Sequence, residues 1–187
     1  QAGKIRSFGF SEIAPSSLKK AAEIHHVAAV QSEYSLSVRS PELGLVQATK
    51  QLGTALVAFS PLGRSLLTNR PHTTQKIATM GFLKNNPRFI EPNLSANIEA
   101  TAKFRALAAE MGTSAAALSI AWLLHQSEHI IAIPGTRSVP HFLEHCAGAR
   151  LSLSKEAIAQ IESVLPVGWA HGDRYSQQQW IGPERYC

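Results

Sequence analysis

The sequence predicts half of a parallel α/β barrel, in which strand and helix alternate four times. Four short apolar runs are nearly continuous rather than alternating, which suits strands buried on both faces. Each is followed by a polar or Pro/Gly-containing turn and then by helical periodicity, the pattern of right-handed βαβ units. The 187 residues leave room for one domain with a real core, yet a complete eight-stranded barrel typically needs about 250.

The first run spans residues 5–10 (IRSFGF), and the helix after it spans 15–25, with Leu18, Ala21, Ala22 and His25 at helical spacing. The second strand is placed at 27–31 (VAAVQ). Ser40-Pro41-Glu42 then combines a capping serine, proline at the first helical position and an acid in the first turn. That helix is expected to reach Leu52, with Gly53 closing it. The third strand is ALVAF, Ala55–Phe59. Residues 61–96 read as a long loop: Pro61, Pro71, Pro87 and Pro92 interrupt it without periodicity, and such loops are functional or mobile. Helices follow at 97–111 and 114–125, the second capped by Thr113 or Ser114. The fourth strand is IIAI, Ile130–Ile133, with helices at 138–147 and from Ser154 to about Leu165. Residues 166–187 form a tail rich in Gln, Gly and aromatics.

Composition excludes several classes. With 44% hydrophobic and 17% charged residues, the chain is neither disordered nor membrane-embedded in pattern. No apolar run approaches the ~18–20 residues of a membrane span, and no signal-peptide pattern opens the chain. The net charge of +5 is spread over scattered Lys and Arg, which builds no nucleic-acid surface. Cys146 and Cys187 are the only cysteines, so a disulfide framework or zinc site is not expected and a reducing, cytoplasmic setting is. The chain begins at Gln1 and reaches a strand within a few residues, as a fragment or processed product would. Half a barrel also leaves its first and fourth strands as unpaired edges, which invites association.

In a parallel barrel, function sits on the loops after the strands. Those loops begin Gly9-Phe10-Ser11-Glu12, Gln31-Ser32-Glu33-Tyr34, Phe59-Ser60-Pro61-Leu62-Gly63-Arg64 and Ile133-Pro134-Gly135-Thr136-Arg137-Ser138. Hydroxyls, an amide, an aromatic ring and arginines thus converge on one face, where a nucleotide can be held. Singly, each has a plainer reading. Ser11 can cap the following helix, Phe59 can be core, and Ser60-Pro61-Leu62-Gly63 can be a turn. A buried Gln31 needs a partner. Gly135-Thr136-Arg137 ahead of a helix N-terminus favours phosphate, although a solvated loop arginine is the common outcome. His25 and His26 end a helix, and His125 and His129 flank the fourth strand. His141 and His145 lie four apart without a third ligand, so no metal site is assigned. Trp122 reads as core.

Together these strings resemble a family. GKIRSFGFSE (residues 3–12), AAVQSEYSL (28–36), LVAFSPLGRSLLT (56–68), NPRF (86–89), IIAIPGTRSV (130–139) and GDRY (172–175) are similar to the second half of aldo-keto reductases. The nearest likeness is to the bacterial branch with Ser-Glu where other members have Ser-Asn. The resemblance implies a (β/α)8 TIM barrel, of which this chain supplies the last four strand–helix units, a C-terminal helix and the tail. It implies NADP(H) lying across the C-terminal face. Ser11, Glu12 and Gln31 would then meet the nicotinamide carboxamide. Phe59 would stack on the nicotinamide ring, where many relatives have tyrosine. Ser60, Pro61, Leu62, Gly63 and Arg64 would lie along the pyrophosphate. Gly135, Thr136 and Arg137 would hold the 2′-phosphate, with His141 in a place that is often basic. Glu144 and His145 would reach the adenine, the latter where asparagine is usual. Helix capping by Thr136 and Ser138 remains open beside this.

The resemblance also implies a proton-donating Asp, Tyr, Lys and His on four strands that this sequence does not contain. Tyr34, Tyr175 and Tyr186 match no catalytic-tyrosine motif, so no catalytic residue is assigned. The expected activity is reduction of a small aldehyde or ketone by NADPH, with this chain holding the cofactor. The alternative is a non-catalytic nucleotide-binding half-barrel, paired with another chain or a second copy. A generic phosphate-binding barrel requires all the strings to be coincidence.

Overall fold

Strands β1 (Gly9–Ser11), β2 (Ala29–Glu33), β3 (Ala55–Phe59) and β4 (Ile130–Ile133) lie side by side in that order, all parallel. The computed structural model describes residues 3–184; Tyr186 and Cys187 lie outside them. β3 and β4 form where the apolar runs place them. The first two strands sit further along the chain than expected. Ile5 is 71% exposed and outside the sheet, because pairing begins only at Gly9, opposite Ala29. β2 continues through Ser32 and Glu33, whose polar side chains find partners at the strand end.

Helices α1 (Pro15–Ile24), α2 (Leu45–Gln51), α3 (Thr74–Ala78), α4 (Asn93–Glu110), α5 (Ala115–His125), α6 (Val139–Arg150) and α7 (Lys155–Val164) complete the chain. Pro15 opens α1, its fixed φ suiting the first helical position. The N-cap there is Ala14, so Ser11 does not cap this helix. The single helix expected from Ser40 to Leu52 is divided into a 3-10 turn, Ser40–Leu43, and α2. Gly44 separates them at φ 137°, a conformation that only glycine adopts freely. Ser114 caps α5 by accepting from the amide of Ala117, and Ser154 caps α7 in the same way. α4 begins four residues before the expected Asn97.

Leu18, Leu45, Phe104, Leu118, Trp122 and Ile161 pack on one face of the sheet, against Val30, Leu56, Ala58 and Ile130. Trp122 is fully buried, as its apolar surroundings in the sequence suggest. The opposite face is open, which corrects the expectation of strands buried on both sides. Gln31 is exposed there, and Ile131 and Ile133 are 51% and 42% exposed. Among the described residues no helix is long and apolar enough to cross a membrane.

Residues 61–96 are ordered by contacts that periodicity does not reveal. Leu66, Ile77, Leu83, Phe89 and Leu94 form a second buried cluster, joined by Trp169 of the tail. The side-chain amide of Asn97 donates to the carbonyls of Arg88 and His171, tying loop and tail together.

Candidate functional site

The strand ends divide into two regions. At β1 and β2, four charged side chains close on one another. Glu12 is buried; its Oε1 accepts from Ser32 Oγ (3.0 Å) and from the amide of Glu33 (2.8 Å). Its other oxygen pairs with Arg174 Nη2, brought from the tail. Glu33 Oε2 accepts from Arg64 Nη2 (2.7 Å) and Arg174 Nε (2.8 Å). Burial disfavours the Arg174 cation, but Glu33 and Glu12 more than offset this and raise its pKa. Aromatic rings close the cluster. The Arg64 guanidinium lies 4.9 Å from the Phe82 ring centre and 5.1 Å from that of Tyr175; Arg174 lies 4.4 Å from Tyr175.

Nearby, Arg88 is held by carbonyls, donating to those of Ser37 (2.8 Å) and Gly172 (3.2 Å). Burial pulls it down to about 10. Tyr34 donates to Glu42 Oε1 (3.0 Å), and burial first, then Glu42, raises its pKa. The Tyr175 hydroxyl accepts from Arg174 Nη2 (3.0 Å), and burial raises its pKa as well.

At the ends of β3 and β4 the arrangement is open. A groove of about 880 Å³ runs between their loops. Phe59, Ser60, Pro61, Leu62 and Arg64 line one wall; Gly135, Thr136, His141, Glu144 and His145 line the other. The remaining five candidates lie off the groove. Ser11 and Gln31 stand opposite each other on the bare sheet face, in one row with Val57 and Ile131. Phe59 heads the next row, between Glu33 and Ile133. Glu12 belongs to the charged cluster, and Gly63 is buried beneath the rim, facing Ser37 and Leu67. Arg137 is exposed on the loop whose neighbours line the groove.

The groove wall is rich in unspent hydrogen-bonding capacity. Ser138, the N-cap of α6, makes no side-chain cap bond, so the amides of Val139 and His141, either side of Pro140, stay free for an anion. Thr136 has a local role beside this, its Oγ1 accepting from the amide of Ser138 (3.1 Å). His145 is 7% exposed, and its Nδ1 is buried without a partner. Burial, the largest influence, lowers its pKa by disfavouring the imidazolium. A buried polar atom left unmatched is rare in folded proteins. α6 approaches α5 closely because Gly148 faces the carbonyl of Ala117, where a Cβ would lie 2.5 Å from its oxygen.

Ser60, Arg64 and Ser65 have φ of 50°, 54° and 91°, and Glu12 has 56°; these are the left-handed non-glycine residues among those described. Such conformations cost about 1–3 kcal/mol each, persist where surroundings over-determine them, and concentrate at functional sites. Here three lie on the groove's rim and one in the charged cluster.

The sequence pattern does not reveal the whole lining of the groove. Thr68, Asn69, Arg70 and His72 also line the groove; the long loop was singled out, but not these residues. Glu33 stands in the sequence only as one of the residues after the second strand, and Arg174 only within GDRY.

The model for the aldo/keto reductase family matches residues 1–166. The chain belongs to the aldo/keto reductase family. Among curated relatives, probable aldo-keto reductase 1 of Glycine max is 32% identical over 173 residues, which are 92% of this chain and 50% of that protein. Aldo-keto reductase str7 of Strobilurus tenacellus is 29% identical over 175 residues, covering 92% and 52%. The chain therefore spans about half the length of these reductases. Among solved structures, the glycerol dehydrogenase AKR11B4 from Gluconobacter oxydans superposes with a TM-score of 0.73 at 25% identity, over 87% of this chain and 50% of that one. A thermostable aldo-keto reductase, Tm1743, in complex with the inhibitor epalrestat, gives a TM-score of 0.64 at 24% identity, over 87% and 49%. The chain thus shares its parallel α/β fold with aldo-keto reductases, a TIM-barrel family.

Proposed function

We propose that this chain is the cofactor-holding, C-terminal half of an NADP(H)-dependent aldo-keto reductase that reduces small aldehydes or ketones to alcohols. The observation that carries this reading is the groove, with an uncapped helix N-terminus and the unmatched Nδ1 of His145 in one wall. These suit an extended anionic dinucleotide. The amides of Val139 and His141, with Arg137, would take the 2′-phosphate, and His145 the adenine. Phe59 offers a ring face for the nicotinamide, and Ser11 and Gln31 offer polar groups for its carboxamide. Arg64 and Glu12, already neutralised, shape the site rather than bind charge.

The bound cofactor would supply the hydride. Reduction also needs a proton donor to the developing alkoxide. Tyr34 and Tyr175 are both buried and hydrogen-bonded elsewhere, so in this reading the donor belongs to the complementary half of the barrel. That half, or a second copy, would cover the bare sheet face and the edges at β1 and β4. The same observation favours a second reading, a non-catalytic nucleotide-binding subunit. A cytoplasmic setting accompanies either.

Titration with NADPH, followed by its fluorescence, tests the reading. Saturable binding, tighter than for NADH, is expected. Binding without carbonyl reduction selects the subunit reading. No binding by the folded protein refutes both.

A further inference from the structure

We infer that Arg174 is a positioning residue that sets cofactor affinity from outside the groove, by pinning the tail against the strand ends. This rests on the nucleotide reading of the groove. Arg174 does not line it; its side chain is spent on Glu12 and Glu33. The tail thus fixed reaches the rim in three ways. The carbonyl of Arg174 accepts from Arg64 Nη1 (3.3 Å) and from Asn86 Nδ2 (2.8 Å). The Tyr175 ring covers the Arg64 guanidinium beside Phe82, which it meets edge-on at 6.1 Å between ring centres. Gln179 Nε2 donates to the carbonyl of Phe82 (2.9 Å), itself a groove residue.

Arg64 is the point where this hold meets backbone strain. It sits left-handed beside Ser65, also left-handed, within the turn that follows Ser60. An isolated chain would relax such a turn, so its native form needs external contacts. Glu33 and Phe82 supply two at Arg64, and the tail supplies two more. Releasing the pin leaves Arg64 with Glu33 and Phe82 but without the carbonyl and ring that the tail provides. The rim then samples relaxed forms, and apparent affinity falls with the fraction that remains competent.

Arg174→Ala and Arg174→Lys test this through hydrogen exchange of amides 62–66 without nucleotide, together with the dissociation constant for NADPH. In Arg174→Ala, exchange at 62–66 should rise about tenfold more than that of β3. NADPH should bind about tenfold more weakly, as when the competent fraction drops to a tenth. Arg174→Lys, which keeps the charge, should fall between, and it decides the matter if the alanine variant does not fold. Unchanged exchange at 62–66, or an equal rise in β3, overturns the inference. If the wild-type protein binds no NADPH, the nucleotide reading fails, and the exchange data still decide whether Arg174 holds the rim.

Discussion

At the ends of β1 and β2, Glu12, Glu33, Arg64 and Arg174 neutralise one another under aromatic rings. At the ends of β3 and β4, a histidine whose buried Nδ1 is unmatched and a helix N-terminus without a side-chain cap border an open groove. Both regions are built from strand-end residues of one sheet, yet one is satisfied and the other is not. Satisfied polar clusters fix structure, while unmatched groups beside space receive ligands. A charged residue at a strand end therefore declares its role through its partners rather than its position. Arg64 carries the lesson: it touches the groove and still serves the cluster.

Removing the centre of the satisfied region should have the largest effect. Glu33→Ala leaves two arginines without their shared, buried acceptor, and breaking such a pair costs about 3–5 kcal/mol; urea unfolding should show the loss. Gly148→Ala pushes α6 away from the carbonyl of Ala117, and this overpacking costs about 1–3 kcal/mol. Because α6 carries His141 and His145, that variant should weaken NADPH binding more than a variant of equal stability altered in α7. On the open side, Arg137→Ala should leave the unfolding midpoint unchanged and weaken NADPH about tenfold, with NADH unaffected. If both nucleotides weaken equally, the 2′-phosphate assignment fails.

The smallest effect concerns pH. Burial lowers the pKa of His145, and of His72 and His129 as well. For each, the unfolded chain takes up a proton at a higher pH than the native protein does. Stability is therefore complete above the ordinary histidine value of about 6.5 and is lost as pH falls below it. His145→Asn should flatten that part of the melting curve against pH, and an unchanged slope would remove His145 from the account.

The open region was legible in the sequence because it follows a rule of the architecture: ligand-binding residues follow strands, so the loops after β3 and β4 could be read directly. Helix starts at Pro15, Ser114 and Ser154 were equally local. The satisfied region was not legible as a cluster. Its members lie 162 and 141 residues apart in the Glu12–Arg174 and Glu33–Arg174 pairs, and no periodicity links them. The same holds for Leu66, Ile77, Leu83 and Phe89, whose irregular spacing concealed a packed core beneath an apparent loop. β1 lies later than its apolar run because pairing with β2, not hydrophobicity, fixes its extent, and its residues are exposed.

Mapping amide chemical-shift changes on adding NADPH tests the contrast most directly. The account predicts changes at Phe59, Leu62, Gly135, Thr136, His141 and His145, with the amides of Glu33 and Arg174 little moved. Changes centred instead on the smaller cavity of about 530 Å³ beside Arg39 and Arg88, or none at all in the folded protein, would contradict it.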